Sequence, residues 1–215
     1  MYNIMRGVPM KQPAAAVLIL LLSFLFLPGC TGMKQPPMKI DYYTLEYDPA
    51  PVAAAAPLPV VLKIDRFSAA SEYNTDRMVY RDSSFRRSTY YYHKWHAYPA
   101  DLVTFFLSRD LAGSGRFKGV LPPLAGTAST HVLQGSVEEF LEWDEGASWQ
   151  AVVTVNIVLA GTAEIDAAGR ILLQRRFTSR EDCADRTPAA VAGAMSRAMA
   201  RLSAEIGAAV YETLR

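Results

Sequence analysis

The side chains of this sequence best suited to chemistry are three histidines and two cysteines. His93 and His96 lie three residues apart, a spacing that on a helix could place two imidazoles on one metal ion. The segment instead has the pattern of a strand that passes into a turn, with no acidic or cysteine ligand nearby at a recognisable spacing. His131 begins a predicted strand and is interpreted as structural. We therefore expect no metal and no cofactor.

The sequence also lacks the patterns that accompany nucleophilic catalysis. It has no Gly-x-Ser-x-Gly motif and no phosphate-binding glycine loop that opens a helix. The glycines of segment 113–115 follow a predicted helix and are typical of its C-terminal end. A periplasmic hydrolase is therefore the least supported hypothesis, and we expect the protein not to be an enzyme.

Cys30 has a different context, because it ends a segment with the layout of a bacterial secretory signal. A charged start precedes an apolar run of 14 residues, Ala14–Leu27, which is too short for a comfortable membrane-spanning helix. The letters LPGC that end at Cys30 resemble the lipobox of bacterial lipoproteins, in which the cysteine thiol is acylated, for instance with palmitate. We expect residues 1–29 to be a removed signal peptide, with translation starting at Met10, and Cys30 to carry the lipid anchor.

Two alternatives to this anchor stay open: an ordinary signal peptide followed by a chance cysteine, and an uncleaved anchor helix. Thr31 follows the cysteine where a retained inner-membrane lipoprotein of enteric bacteria would have aspartate. By that analogy, we expect the protein to be attached to the outer membrane and to face the periplasm. Anchoring in the inner membrane is the alternative.

The charge of the mature chain argues against nucleic acid as a partner. Residues 1–29 contain two of the 22 basic residues and none of the 21 acidic ones, so the mature net charge is −1. Nucleic-acid binding calls for a clustered excess of positive charge. If Cys30 carries lipid, Cys183 has no intramolecular partner, so no disulfide framework is expected. Cys183 is interpreted as a small half-buried residue, or as an intermolecular thiol.

The mature chain divides into a short tether and a single domain. Residues 30–39 contain glycine and two prolines without a hydrophobic period, so we predict a lipidated tether followed by one domain over residues 40–215. The β-forming stretch Ile40–Tyr47 predicts a first strand, and a proline- and alanine-rich segment follows at 49–59. Further strands are predicted at Val60–Arg66, Met78–Arg81 and Tyr90–His93.

Three longer strands are predicted in the second half of the chain. The segments His131–Trp143, 149–159 and Ile171–Phe177 alternate between apolar and polar residues and are joined by short turns, which predicts an antiparallel meander. On the first of them, one face is predicted to carry Leu133, Val137, Leu141 and Trp143. The polar face is predicted to carry Gln134, Ser136, Glu138 and Glu142.

Two helices are predicted to cover this sheet. Pro99 is typical of a first helical position, and its helix has a predicted apolar stripe of Leu102, Phe105, Phe106 and Leu111. A long final helix begins at Thr187 and Pro188, with apolar residues at steps of three and four from Val191 to Leu214. The predicted architecture is α+β: one domain with an antiparallel, partly mixed sheet and both helices on one face. Docking of the final helix on a partner chain is the alternative to docking on its own sheet.

Arginine and aromatic residues are concentrated in the segment Tyr73–His96. Both types are enriched at protein interfaces. We therefore select these candidate partner-binding residues: Arg77, Tyr80, Arg81, Arg86, Tyr91 and Trp95. The alternatives are a strand pair with buried aromatics and solvated arginines, and contact with lipid head groups. Trp95 precedes the first helix and is also expected to contribute to the core.

The order of these features resembles one family. The lipobox-like start, the strand letters YYTL at 42–45, the Val60–Phe67 strand, the stretch YNTDRMVYR at 73–81, Trp95 before a helix and the later hairpin follow one another as in the ABC-type transport auxiliary lipoproteins, the PqiC-like family. The resemblance covers essentially the whole mature chain. The family's Asp-Arg and Tyr-Arg positions correspond to residues 76–77 and 80–81.

The resemblance implies a non-catalytic lipoprotein subunit of a periplasmic lipid-transport system. Its implied partners are an MCE-domain protein, which it would contact between the membranes, and the inner-membrane ABC permease and ATPase. Association with further copies of itself is an additional expectation. The alternative is an envelope lipoprotein that regulates or assembles another cell-envelope complex.

Overall fold

The computed structural model describes residues 38–49, 51, 56–162 and 170–215. The expected signal peptide, Cys30 and most of the expected tether lie outside these residues, so those expectations stay predictions. From Lys39 onward the chain forms one compact unit. In the part of the chain that is described, no helix combines the length and the apolar character needed to cross a membrane.

The described residues form one sheet and two helices. The strands are β1 (Asp41–Tyr43), β2 (Leu58–Ile64), β3 (Ser68–Ala69), β4 (Arg77–Arg81), β5 (Arg87–Trp95), β6 (Phe117–Leu121), β7 (His131–Asp144), β8 (Trp149–Gly161) and β9 (Ile171–Asp182). The helices are α1 (Pro99–Gly113) and α2 (Pro188–Leu214), and a short 3-10 helix, Ser71–Tyr73, precedes β4.

The sheet is organised around β7. One side of β7 pairs along its length with β8, which in turn pairs with β9, so the predicted antiparallel meander is confirmed. The other side of β7 pairs in succession with β2, β3 and β4, all in parallel. These parallel pairs make the sheet more mixed than the sequence indicated. Parallel neighbours need a long connection, and the one from β2 to its parallel neighbour β6 contains α1.

Both helices pack on the same face of the sheet, which confirms the predicted α+β architecture. α2 lies on β8 and β9, and α1 contacts α2, β6 and β7. The backbone N–H of Ala190 donates to the Thr187 side chain at 3.2 Å, so Thr187 caps α2 as its type predicts. The predicted stripe of α2 is buried: Val191, Met195, Met199, Leu202, Ile206 and Val210.

Several predicted strands have different bounds in the structure, and two of the differences follow from the contacts that these strands make. The strand expected over Ile40–Tyr47 ends at Tyr43, because the chain then leaves the sheet to pack on α1. There the Tyr47 hydroxyl donates to Asp110 at 2.7 Å, and its ring stacks on Phe106 at 5.2 Å. The strand expected over Tyr90–His93 is longer, since β5 pairs with both β1 and β4.

The predicted face of α1 was wrong at one position. Phe105 is largely exposed, while the neighbouring Val103 and Leu107 are fully buried. Phe105 lies beyond the edge of the stripe that contacts the sheet.

A β-bulge in β7 explains the second wrong burial prediction. The register of β7 against β8 shifts between Val137 and Glu139, so the alternation of its side chains changes phase. Glu142, expected on the polar face, is therefore only 2% exposed. Glu142 lies on the helix-covered face, where the Tyr90 hydroxyl donates to its carboxylate at 2.9 Å. Trp143, expected on the same face as Val137, points to the other face for the same reason.

Gly135 of β7 allows a close approach between the strand and Phe67. A Cβ atom at residue 135 would lie 2.5 Å from a carbon of the Phe67 ring and 2.6 Å from the carbonyl oxygen of Asn156. Both distances are far shorter than a van der Waals contact, and one of the opposing atoms is backbone. Only glycine fits where the buried Phe67 ring crosses this central strand.

Candidate partner-binding surface

The β4–β5 hairpin carries all six residues that the sequence selected for partner binding. Arg77 and Tyr91 are exposed, and the Arg77 guanidinium lies 5.5 Å from the centre of the Tyr91 ring. Tyr91 is 65% exposed and meets Tyr92 edge to face. This arrangement leaves a cation and a large aromatic ring together in solvent.

The hairpin tip, residues 82–86, presents two more exposed side chains, Phe85 and Arg86. Arg86 forms an ion pair with Asp82 at 3.2 Å. The backbone N–H and hydroxyl of Ser84 also donate to Asp82, and these hydrogen bonds hold the pKa of its carboxyl below the ordinary range. Phe85 follows with a φ of +62° and is 90% exposed. A non-glycine residue in this conformation is uncommon, and such residues cluster at functional sites such as ligand clamps and switch regions.

Tyr80 and Trp95 point away from solvent. Tyr80 is half-buried on the helix-covered side, with its ring 5.0 Å from that of Tyr90. Trp95 is only 2% exposed and packs edge to face on Phe140 at 5.1 Å. Trp95 therefore belongs to the core, as its place before α1 indicated, and not to a surface that a partner can reach.

Arg81 lies on the face of the sheet opposite the helices. Neighbouring residues of a strand point to opposite faces, and Glu181 of β9 forms ion pairs with Arg197 and Arg201 of α2. Arg180 therefore points away from the helices. Its guanidinium lies 4.3 Å from the centre of the Trp143 ring, and that of Arg81 lies 3.7 Å from the same ring.

Arg87 completes this group, which we call the arginine cluster: Arg81, Arg87 and Arg180 around Trp143. Arg81 and Arg87 are directly opposite each other in the β4–β5 pair, and Arg81 is opposite Trp143 in the β4–β7 pair. The Nε of Arg87 donates to the buried Tyr73 hydroxyl at 3.3 Å. This hydrogen bond is the main reason why the pKa of Arg87 is raised.

Sequence reasoning missed Trp143 and Arg180 as members of this cluster. They come from β7 and β9, far from the arginine-rich segment in the chain, and are brought to it by strand register. The alternation within β9 places Arg180 on a polar face, but the sequence carries no signal for which arginine lies beside Trp143.

A second surface is an apolar groove of about 770 Å³ between α1 and the loop after β6. Its lining includes the exposed Phe105 of α1 and Leu124, together with Pro122 and Pro123. The two arginines at its edge already have partners: Arg66 binds Asp101 through two hydrogen bonds, and Arg109 contacts Asp110.

His93, His131 and Cys183 are partly buried in the fold. The Nδ1 of His93 lies 3.2 Å from the Tyr43 hydroxyl, and burial lowers the pKa of His131. Among the described residues, no group of three or more His, Cys, Asp or Glu side chains converges as a metal site would require. Burial raises the pKa of the Cys183 thiol to about 11, which keeps it protonated and poorly nucleophilic at neutral pH.

Solved structures share this fold at low sequence identity. A Xanthomonas campestris protein of the DUF330 family has 21% identity and a TM-score of 0.73, over 80% of this chain and 95% of that chain. An uncharacterized protein has 14% identity and a TM-score of 0.63, over 80% and 99% of the two chains. A hypothetical protein from Chlamydia trachomatis has 11% identity and a TM-score of 0.51, over 73% and 98%. No curated protein matches the chain.

These similarities define a class of small α+β domains with a mixed sheet and helices on one face. Within that class, the chain belongs to the family of ABC-type transport auxiliary lipoprotein components, whose family model matches residues 43–207. The resemblance seen in the sequence is thereby confirmed. Membership supports an envelope lipoprotein that accompanies transporter components.

Proposed function

We propose that the protein is a non-catalytic, lipid-anchored subunit of an MCE- and ABC-type lipid-transport system. The observation that carries this proposal is the family match across residues 43–207. In this proposal, Cys30 anchors the chain to the outer membrane, and the domain contacts an MCE-domain protein in the periplasm. The inner-membrane permease and ATPase belong to the same system.

The exposed part of the β4–β5 hairpin supports a role in protein contact. Arg77, Arg86 and Tyr91 remain candidates for that contact, and Phe85 joins them as an exposed aromatic at the hairpin tip. Tyrosine and arginine give large contact area and several hydrogen-bond donors at modest entropic cost. The inert Cys183 thiol is consistent with a subunit that performs no chemistry.

Membrane attachment is tested by replacing Cys30 with alanine. We expect Cys30→Ala to move the protein from the membrane fraction to the soluble periplasmic fraction, because no other residue is placed for lipidation. Fractionation and intact-mass analysis measure this change. Cys183→Ala serves as the matched control and should stay on the membrane. An unmodified wild-type mass would contradict the anchor.

Partner binding is tested on the hairpin with the lipidated full-length protein. We expect Arg77→Glu and Tyr91→Ala each to weaken co-purification with the organism's MCE-domain protein at least about tenfold, or about 1.4 kcal/mol. Both side chains are exposed, so the thermal midpoint should barely change. Lys118→Glu on β6, another exposed cation, is the control and should bind normally. Unchanged binding by both hairpin variants would place the contact on another surface.

A further inference from the structure

We propose that the arginine cluster docks an acidic segment of a protein partner, with carboxylates received by Arg81, Arg87 and Arg180. This inference deepens the proposed function and rests on it, since it names the chemistry that the transport partner would present. It also extends the contact from the exposed hairpin residues to the face of the sheet opposite the helices, through Arg81 and Arg87 of the hairpin and Arg180 of β9.

Two like charges lie directly opposite each other in the arginine cluster. Arg81 and Arg87 are cross-strand partners in β4 and β5, an arrangement that is unfavourable for two cations unless something compensates it. Among the described residues, no carboxylate lies within ion-pair distance of either guanidinium or of Arg180. An incoming carboxylate would supply the missing charge.

Other arginines on the same strands show what compensation looks like here. Arg176 lies four residues before Arg180 on β9 and on the same face of the sheet. It binds Glu138 at 2.6 Å and lies 3.7 Å from Glu139. Glu181 likewise forms ion pairs with Arg197 and Arg201 on the helix-covered face. Asp182, on the same face of β9 as Arg180, accepts from Gln150 at 2.8 Å. Glu72 and Glu139 act on Arg87 only through longer-range Coulombic attraction. Among the described residues, the cluster therefore differs from its surroundings in having no ion-paired acid.

The three guanidinium groups are each held by a neighbouring side chain. Those of Arg81 and Arg180 lie over the Trp143 ring, and the Nε of Arg87 donates to the Tyr73 hydroxyl. A guanidinium held by its face or by one N–H keeps its other N–H groups for a carboxylate, which it can bind through two parallel hydrogen bonds. The buried Nε of Arg81 and Nε1 of Trp143 also have no acceptor in the described part of the chain.

The size of the cluster favours an acidic protein segment over a membrane surface. Recognition of anionic membranes by basic residues typically uses four to eight lysines and arginines in one patch. The cluster has three, on a chain whose mature net charge is −1. Arginines fixed on an aromatic ring suit a few well-placed carboxylates better than a diffuse layer of head groups.

The test measures binding of a fluorescein-labelled glutamate-rich peptide to the full-length lipidated protein in detergent micelles, by fluorescence anisotropy. We expect salt-dependent binding that Arg180→Gln weakens at least about fivefold and that Arg87→Gln with Arg180→Gln weakens further. The matched control is Arg175→Gln, an exposed arginine of the same strand on the opposite face, which should change binding less than about twofold. Equal effects of Arg175→Gln and Arg180→Gln, or no binding to the wild type, would overturn the proposal.

Two further arms separate this inference from its alternatives. Vesicles containing phosphatidylglycerol test the membrane: cluster-dependent binding to vesicles, without binding to the peptide, would overturn the acidic-segment proposal. Co-purification with the MCE-domain protein distinguishes a failure of the proposed function from a failure of the arginine-cluster proposal. If the wild type fails to co-purify, the proposed function fails. If the wild type and Arg180→Gln co-purify equally, only the role of the arginine cluster fails.

Discussion

Trp95→Ala is expected to lower the free energy of unfolding by about 3–5 kcal/mol, the usual cost of deleting a large aromatic from a packed core. Trp95 is 2% exposed, is the last residue of β5 and packs edge to face on Phe140 of β7. Its removal leaves a cavity between strands that share no backbone pairing, because β4 lies between β5 and β7. The backbone cannot close this gap without breaking strand pairs.

The measurement is urea unfolding of the full-length protein, followed by circular dichroism. Tyr91→Ala is the matched control: it removes an aromatic side chain from the same strand, but one that is exposed, and should change stability by less than about 1 kcal/mol. If both variants lose the same stability, Trp95 is not a core residue. If Trp95→Ala is too unstable to purify, Trp95→Phe supplies the graded measurement and should lose less.

Glu142→Gln is expected to make the protein more stable above neutral pH and to flatten its dependence on pH. Burial raises the pKa of the Glu142 carboxyl to about 7; the hydrogen bond from Tyr90 opposes this effect and Asp144 adds to it. An unfolded glutamate has a pKa of about 4.3. Between these values the folded protein holds a proton that the unfolded chain has released, so stability falls as the pH rises.

The size of this effect follows from the difference between the two pKa values. Each unit corresponds to about 1.4 kcal/mol, so the wild type should lose about 3–4 kcal/mol between about pH 4 and about pH 8. Glutamine is neutral throughout and still offers Tyr90 an acceptor, so this loss should disappear in the variant. Urea titrations at several pH values measure it, with Glu145→Gln in the exposed β7–β8 turn as control. Parallel pH profiles for wild type and Glu142→Gln would show that Glu142 is not the responsible group.

The second half of the fold was predictable because its signals are local. The periodicity of α2, its cap at Thr187 and the alternation of β8 each depend on residues close together in the sequence. The parallel addition of β2, β3 and β4 to β7 was not predictable in this way. An alternating strand specifies which face is buried, but it does not specify its neighbour.

The candidate surface likewise contains residues that could be predicted from local sequence and residues that could not. Exposed Arg77, Arg86 and Tyr91 could be selected from residue type alone, whereas the burial of Glu142 depends on a bulge that shifts the phase of β7. Trp143 and Arg180 acquire their significance only through register across three strands. Sequence patterns locate the strand faces, but strand pairing determines which side chains share them.

The last strand of the sheet has a consequence for solubility. β9 is 12 residues long and, in the part of the chain that is described, pairs only with β8, so one row of its backbone N–H and C=O groups is open to solvent. A long open edge can template edge-to-edge aggregation, and natural proteins block this with charged side chains. β9 is protected in this way by its run of charged residues: Arg175, Arg176, Arg180, Glu181 and Asp182. These charges therefore oppose extension of the sheet by a strand of another chain at β9.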